Sequence, residues 1–258
     1  MSQSIRLSKF TLGLSLVLSV AVSVAARAQQ CTSAQYGTID VGNYMLQNDE
    51  WNLGAGPGGW QQICAGSAGN NSWSSQWWWP TGSGGIKAYP SIVSGWHYGT
   101  WSPNSNGFPV KVSANAPLPT SVSFSISGNN QYDVAYDLFF SSASNPSTPS
   151  AELMVWLWYS GNQPAGQLVQ SNVTLGGVSG TWDVWSGNVG WPVWTFVPHS
   201  QTTSFNSNLQ PFVYFVAYSK GWLDKSWYEL DTEFGAEIIQ SNGQNGGITV
   251  NNFRATAY

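Results

Sequence analysis

Three apolar segments of the 258-residue chain carry carboxyl side chains. Glu152 begins the run ELMVWLWY, Asp133 and Asp137 interrupt the run QYDVAYDLFF, and Glu233 and Glu237 flank FGA in the run TEFGAEII. A carboxylate loses hydration among large apolar neighbours, and this cost has to be offset by bonding partners or by a function. The chain has only 12 acidic residues, so their presence in three such segments favours a shared site.

Each of the three segments alternates as a β-strand does, with successive side chains on opposite faces. The predicted core faces are Leu153, Val155, Leu157 and Tyr159 in the first, Tyr132, Val134, Tyr136, Leu138 and Phe140 in the second, and Phe234, Ala236 and Ile238 in the third. The carboxyl groups fall on the opposite faces. For any single one, a solvent-facing acid is the commoner explanation, but three such strands together favour the floor of a cleft.

Two carboxyl groups in one cleft can hydrolyse a glycosidic bond. One donates a proton to the leaving oxygen, and the other attacks the anomeric carbon or activates water. Burial beside aromatic rings and a second nearby carboxylate both raise a carboxyl pKa, which suits the proton donor at mild pH. Other chemistries have less support, because GVSG at 177–180 lacks the serine-hydrolase elbow. His97 and His199 show no metal-ligand spacing with the cysteines, so neither a metal nor an organic cofactor is implied.

Composition indicates the kind of partner. The chain has 16 tryptophans, and only 8% of its residues are charged. Flat indole faces in a groove suit the C–H faces of sugar rings, although aromatic-rich β-proteins also exist for packing reasons. The formal net charge is −4 and no basic cluster is present, which argues against nucleic acid as the target. A neutral polysaccharide is the favoured partner.

Residues 1–28 predict an export signal. Arg6 and Lys9 precede an apolar stretch, and Ala26 and Ala28 supply the small-x-small pattern before the predicted cleavage. A membrane anchor is less favoured, because the stretch is short and small residues follow it. We therefore expect residues 29–258 to form one secreted catalytic domain that is not attached to a membrane after cleavage. In an exported protein, Cys31 and Cys64 predict one disulfide.

Short runs rich in Val, Tyr, Phe, Trp and Thr alternate with Gly-, Ser- and Asn-rich segments along the chain. This pattern is typical of many strands joined by turns. It predicts an all-β fold, a jelly-roll sandwich of two stacked antiparallel sheets with a concave cleft. At most one short helix is expected, near SFNSNLQPFVYF, with Ser204 or Ser207 as its N-cap.

The sequence resembles glycoside hydrolase family 12, secreted retaining β-1,4-glucanases with a β-jelly-roll fold, across nearly all of residues 29–258. ELMVWL is similar to the family's nucleophile strand, FGAEI to its F-G-T-E segment, and VAYDLF to the strand whose Asp hydrogen-bonds the nucleophile. The resemblance implies Glu152 as nucleophile, Glu237 as acid/base and Asp137 as the supporting acid. Glu233 lies on the same predicted face as Glu237 and is the competing acid/base.

The resemblance also implies contacts to substrate. NDEW is similar to the family's sugar-contacting N-N-x-W and points to Asn48 and Trp51, while QPAG implies Pro164 on a loop that crosses the cleft in relatives. KAYP at 87–90 matches another family segment, and the Cys31–Cys64 disulfide is expected from the same comparison. Trp156 is a second candidate stacking platform, with packing beside Met154 as the alternative. Two positions differ from the family pattern, where Ala236 replaces Thr and Asp49 replaces the second Asn.

The sequence therefore predicts a secreted, monomeric endo-β-1,4-glucanase that cleaves cellulose or mixed-linkage β-glucan with retention of anomeric configuration. A xyloglucan-specific endo-β-1,4-glucanase is the first alternative, because xyloglucan shares the same backbone but needs a wider cleft for its branches. A non-catalytic carbohydrate-binding jelly roll is the alternative of another class. It would account for the tryptophans but not for the paired glutamates.

Overall fold

The computed structural model of the protein describes Met1 and residues 29–67, 69–82 and 84–258. Apart from Met1, the predicted export signal at 1–28 lies outside the described residues. Within the described part of the chain, no helix is both long enough and apolar enough to cross a membrane.

The described residues form two stacked sheets. In spatial order, the smaller sheet contains β1 (Cys31–Thr32), β4 (Trp60–Ala65), β5 (Trp73–Trp78), β18 (Gly246–Ala255), β9 (Pro119–Ser127) and β15 (Ser204–Asn208). The larger sheet contains β12 (Gln167–Val173), β13 (Trp182–Asn188), β14 (Pro192–Pro198), β11 (Ala151–Ser160), β10 (Gln131–Ser141), β17 (Asp231–Gln240), β6 (Ser91–His97), β3 (Tyr44–Gln47) and β2 (Thr38–Val41). The short strands β7 (Thr100–Trp101), β8 (Val110–Lys111) and β16 (Tyr228–Glu229) are attached to it. Neighbouring strands of both sheets pair antiparallel except β11 and β14, which are parallel, so the predicted all-β sandwich is confirmed.

The core lies between the two sheets. The predicted core faces of β10 and β17 are buried there, and aromatic contacts join the layers. The ring centroid of Phe234 on β17 is 5.4 Å from that of Phe124 on β9 and 6.4 Å from that of Phe253 on β18. Burying a side chain of this size stabilises the fold by about 1.5–3 kcal/mol. The core therefore occupies one face of the larger sheet, and its other face carries the cleft.

Strand β11 changes face near its end. Val134 on β10 pairs with Trp158, and the next residue, Ala135, pairs with Trp156, so Leu157 is an extra residue and forms a β-bulge. Trp158 consequently packs against the main core, while Tyr159 packs against a small apolar cluster on the cleft side. The prediction that Tyr159 faces the core is wrong, because the bulge reverses the alternation after Leu157.

One short helical segment follows β15. An α-helix, α1 (Gln210–Tyr214), continues as a π-helical turn at Phe215–Ser219, in the region predicted for the helix. The predicted N-caps are wrong, because Ser204 and Ser207 are part of β15 and pair with β9. The side chain of Asn208 instead accepts the backbone N–H of Gln210 at 2.9 Å.

The predicted disulfide is present. Cys31 and Cys64 are bonded and lie directly opposite each other on β1 and β4. The bond joins the first described strand to the smaller sheet.

Candidate active site

A cavity of about 570 Å³ lies on the face of the larger sheet that is turned away from the core. Four carboxyl side chains line it, those of Asp49, Asp137, Glu152 and Glu237. Seven aromatic side chains also line it, those of Tyr36, Trp51, Tyr89, Tyr98, Phe139, Trp156 and Trp191. The structure therefore brings both predicted catalytic glutamates to one cavity, from strands β11 and β17.

Glu152 sits near the start of β11, with Phe139 opposite it on β10 and Val193 opposite it on β14. Its side chain is almost buried, at 7% exposure. The indole Nε1–H of Trp191 donates a hydrogen bond to Oε2 at 2.8 Å. The pKa of Glu152 is raised to about 7. Burial is the main cause and the charge of Glu233 adds to it, whereas the Trp191 hydrogen bond acts in the opposite direction. The indole donor thus favours the ionised form of this carboxyl group.

Glu237 lies on β17, directly opposite Asp133 on β10. Its pKa is raised well above the ordinary value by burial, then by the charges of Asp133 and Glu152, and by a hydrogen bond with Asp133. Every group that shifts this pKa is acidic. These surroundings favour the protonated form of Glu237, in contrast with the donor-stabilised Glu152.

Asp137 lies between the two glutamates on β10, where Met154 and Glu233 are its partners across the neighbouring strands. Burial is the main cause that raises its pKa well above the ordinary value, followed by the charges of Glu152, Glu233 and Glu237. Its Oδ1 is buried and has no hydrogen-bond partner among the described residues. A protonated Asp137 can donate a hydrogen bond into the cavity.

Glu233 shares the strand face of Glu237 but has a different environment. It is fully buried and is absent from the cavity lining. One of its oxygens is 2.5 Å from Nδ1 of His97, and the other accepts the hydroxyl of Ser91 at 3.2 Å. Between the two glutamates, Gly235 lies so close to the carbonyl of Pro90 that an added Cβ would be 2.4 Å from it. Glu233 is thus bonded to β6, and Glu237 is the carboxyl group that faces the cavity.

His97 also lines the cavity. Its ring Nε2 is 3.8 Å from Oδ2 of Asp49. Burial lowers the pKa of His97, but the charge and hydrogen bond of Glu233 and the charge of Asp49 outweigh burial and raise it. The pKa of Asp49 is raised to about 7, mainly by burial. The charge of His97 opposes this rise, and the charge of Glu233 adds to it. Because Glu233 is 136 residues away from His97, no local pattern could have identified this group.

Three of the four predicted substrate contacts line the cavity. Trp51 is 49% exposed, and Pro164 contributes from the segment after β11. Trp156 is only 1% exposed, and it packs in an apolar cluster with Met154 and Val193. The two indoles therefore differ, since Trp51 presents free surface and Trp156 mainly supports the wall.

Asn48 is not brought to the cavity. It is fully buried, its amide N–H₂ donates to the carbonyl of Ala34 and to Glu50, each at 3.1 Å, and its amide oxygen accepts from Gln61 at 3.0 Å. These bonds hold together residues from the N-terminal part of the described chain. The neighbouring Asp49 occupies the cavity wall instead.

A β-sandwich whose cavity combines exposed indole surface with two glutamates in unlike environments has the components of a glycoside hydrolase. The family model described as glycosyl hydrolase family 12 matches residues 42–257. Endoglucanase S from Pectobacterium parmentieri is 33% identical over 238 residues, which cover 89% of this chain and 87% of that protein. The probable xyloglucan-specific endo-beta-1,4-glucanase A from Aspergillus terreus is 34% identical over 223 residues, covering 83% and 82%.

A solved structure shows the same architecture. The native family 12 xyloglucanase from Bacillus licheniformis superimposes with a TM-score of 0.81 and 32% sequence identity, over 89% of this chain and 100% of that chain. The chain therefore belongs to glycosyl hydrolase family 12, and it is a glycoside hydrolase.

Proposed function

We propose that the protein is an endo-acting hydrolase of β-1,4-glucan backbones that retains the anomeric configuration. The observation that carries the proposal is the pair of glutamates in one cavity, one bonded to an indole donor and the other surrounded by acids. Environments that push two carboxyl pKa values apart assign one group as base or nucleophile and the other as acid.

Glu152 is the proposed nucleophile. Its carboxylate attacks the anomeric carbon and forms a glycosyl-enzyme ester, while the glycosidic oxygen leaves. The Trp191 hydrogen bond holds the carboxylate oriented and ionised. Burial and the surrounding carboxylates raise the pKa of Asp137 and favour its protonated form, and in that form it supports Glu152 as a neutral hydrogen-bond donor.

Glu237 is the proposed acid/base. In the first step it gives its proton to the departing oxygen. In the second step, now ionised, it removes a proton from the water that attacks the anomeric carbon. The ester to Glu152 breaks, and both side chains return to their starting state. A positioned acid of this kind contributes roughly 10²–10⁴ in rate.

Substrate binding is assigned to the cavity wall. Trp51 is the proposed stacking platform, because half of its surface is exposed beside the carboxyl groups. Pro164 and Trp156 also form part of the wall. Asn48 acts indirectly by holding the segment that carries Asp49 and Trp51. This indirect role for Asn48 differs from the direct sugar contact that the sequence suggested.

Two classes of polysaccharide, unbranched and branched, are candidates for the preferred substrate. We infer unbranched β-1,4-glucan or mixed-linkage glucan as the first and xyloglucan as the second. Xyloglucan is a candidate because the Aspergillus terreus relative is named a probable xyloglucan-specific endo-beta-1,4-glucanase and the Bacillus licheniformis relative a xyloglucanase.

The test is a side-by-side digestion of cellulose, mixed-linkage glucan, xyloglucan and xylan. An endo enzyme lowers viscosity before reducing ends accumulate, and the first-formed products carry the β-anomer in a proton NMR time course. Glu229→Gln is the matched control, because Glu229 is a buried glutamate that is absent from the cavity lining. Binding to these polysaccharides without release of reducing sugar would support the non-catalytic alternative, and initial α-anomer would exclude retention.

We also propose that residues 1–28 direct export, that 29–258 are secreted as one domain, and that this domain is a monomer. The mass of the exported protein tests the cleavage site, and light scattering coupled to gel filtration tests the oligomeric state. A mass that retains residues 1–28 would contradict the first proposal, and a dimer mass would contradict the last.

A further inference from the structure

Asp133 is a buried acid directly behind the proposed acid/base. It lies on β10 opposite Glu237 in the antiparallel pair with β17. Asp133 is fully buried and is absent from the cavity lining, whereas Glu237 reaches the cavity. Substrate therefore has access to Glu237, and Asp133 acts only through that neighbour.

The two oxygens of Asp133 have different partners. Oδ2 accepts a hydrogen bond from the side-chain amide of Asn162. Oδ1 is buried and accepts no hydrogen bond from an amide, a hydroxyl or a basic group among the described residues. Leaving such an oxygen unbonded is unfavourable, because its lost hydration is not replaced. The hydrogen bond between Asp133 and Glu237 removes this cost, but two carboxyl groups can form it only if one of them carries a proton.

We propose that Asp133 and Glu237 hold one proton between them, and that Asn162 keeps this proton on Glu237 by bonding to the ionised Asp133. Asp133 is then the positioning residue of the acid/base, a role that rests on the proposed function. Asn162 lies in the segment after β11 that also carries Pro164 to the cavity wall. The side-chain amide of Asn162 in this way connects the segment that carries Pro164 with the protonation of Glu237.

The charges around Glu237 support this arrangement. Asp133 and Asp137 face it from β10, Glu152 from β11 and Glu233 from its own strand, and Tyr89 lies nearby with its hydroxyl bonded to the carbonyl of Ala135 at 3.1 Å. None of these groups is a cation. Burial raises the pKa of Asp133, while its bonds to Glu237 and Asn162 lower it and so favour its ionised form. The same bond raises the pKa of Glu237, so Glu237 is the proton donor of the pair.

The experiment compares pH profiles of kcat/KM on a β-glucan oligosaccharide. The acid must be protonated, so activity falls as the pH rises through the pKa of Glu237. Asp133→Asn removes a negative charge and offers an amide donor to the Glu237 carboxylate. The alkaline limb should move to lower pH by at least about one unit, which is a tenfold loss at a fixed pH on that limb. Asn162→Ala removes the donor to ionised Asp133 and should move the same limb to higher pH.

A second substrate separates this role from structural damage. An aryl β-cellobioside with a strongly acidic phenol needs little proton donation to its leaving group, so the shift of the alkaline limb should disappear. Asp40→Asn, an exposed acid on β2, is the control and should leave the profile unchanged. Equal loss at all pH values, or equal shifts on both substrates, would overturn the shared proton. If Asp133→Asn fails to fold, the direction of the Asn162→Ala shift decides the question.

Failure of this inference differs from failure of the proposed function. If Glu237→Gln is inactive but the alkaline limb of the pH profile moves in neither Asp133→Asn nor Asn162→Ala, only the proposal of a shared proton is wrong. If Glu237→Gln has wild-type activity on the oligosaccharide, the acid/base assignment itself is wrong.

Discussion

The cavity presents the same chemical group in two opposite surroundings, one around Glu152 (the Glu152 end) and one around Glu237 (the Glu237 end). Glu152 is bonded to the indole N–H of Trp191, whereas the groups that shift the pKa of Glu237 are Asp133 and Glu152, both acids. Both side chains lose hydration, so burial alone cannot distinguish them. The two pKa values differ because of the side chain that contacts each glutamate. A neutral donor stabilises a carboxylate, and a second carboxylate destabilises it. The proposed roles therefore depend on the partners of each carboxyl group rather than on its burial.

The strongest test of the Glu152 end is Glu152→Gln. An amide cannot form the glycosyl ester, so activity should fall by about 10⁴-fold or more on every substrate, as for loss of other enzymatic nucleophiles. An aryl β-cellobioside and a β-glucan should lose activity alike. Residual activity above about 1% on either substrate would contradict the assignment, and Glu229→Gln should retain wild-type rates.

The Glu237 end should respond differently to the same replacement. Glu237→Gln removes the proton donor, and we expect kcat/KM on β-glucan to fall by roughly 10²–10⁴. On an aryl β-cellobioside with a strongly acidic phenol the first step needs no donor, so kcat/KM should fall far less. Steady-state kinetics on the two substrates measure this contrast. Equal losses on both would remove the distinction between the two ends.

Replacing the donor at the Glu152 end should shift the acid limb of the pH profile. Trp191→Phe keeps most of the aromatic surface but removes the indole N–H, so the pKa of Glu152 should rise from about 7. The nucleophile must be ionised, and activity is lost as the pH falls through its pKa, so the acid limb should move to higher pH. Loss of one such bond, about 0.5–1.5 kcal/mol, corresponds to a roughly twofold to thirteenfold loss at a fixed pH on that limb. An unchanged acid limb would exclude Trp191 as the stabilising donor.

The smallest effect is expected at Asp49. Asp49→Asn places in this chain the residue that the family pattern has there, and it removes a carboxyl group whose pKa is about 7. KM should change by less than tenfold, under about 1.4 kcal/mol, and both limbs should stay in place because other groups hold Glu152 and Glu237. A shift of either limb as large as that of Trp191→Phe would show that Asp49 and His97 help to set the two ends apart.

The strand alternation allowed much of the site to be predicted. It correctly placed Glu152, Asp137 and Glu237 on the face opposite the core, because side-chain direction in a strand is a local property. It did not predict the bulge at Leu157, which depends on pairing with β10. Asn48 was expected at the sugar because of its motif, but its amide is used by Ala34, Glu50 and Gln61.

Local sequence patterns were enough to predict the sandwich, the segments that carry the carboxyl groups and the family to which the chain belongs. These properties follow from alternation, turn residues and short motifs, all of which act over a few neighbouring positions. The partners of the two carboxyl groups, by contrast, depend on tertiary contacts. The donor to Glu152 comes from a residue 39 positions away, and the acid beside Glu237 comes from another strand. A pKa depends on charges and donors within a few ångströms, and folding determines which residues lie there.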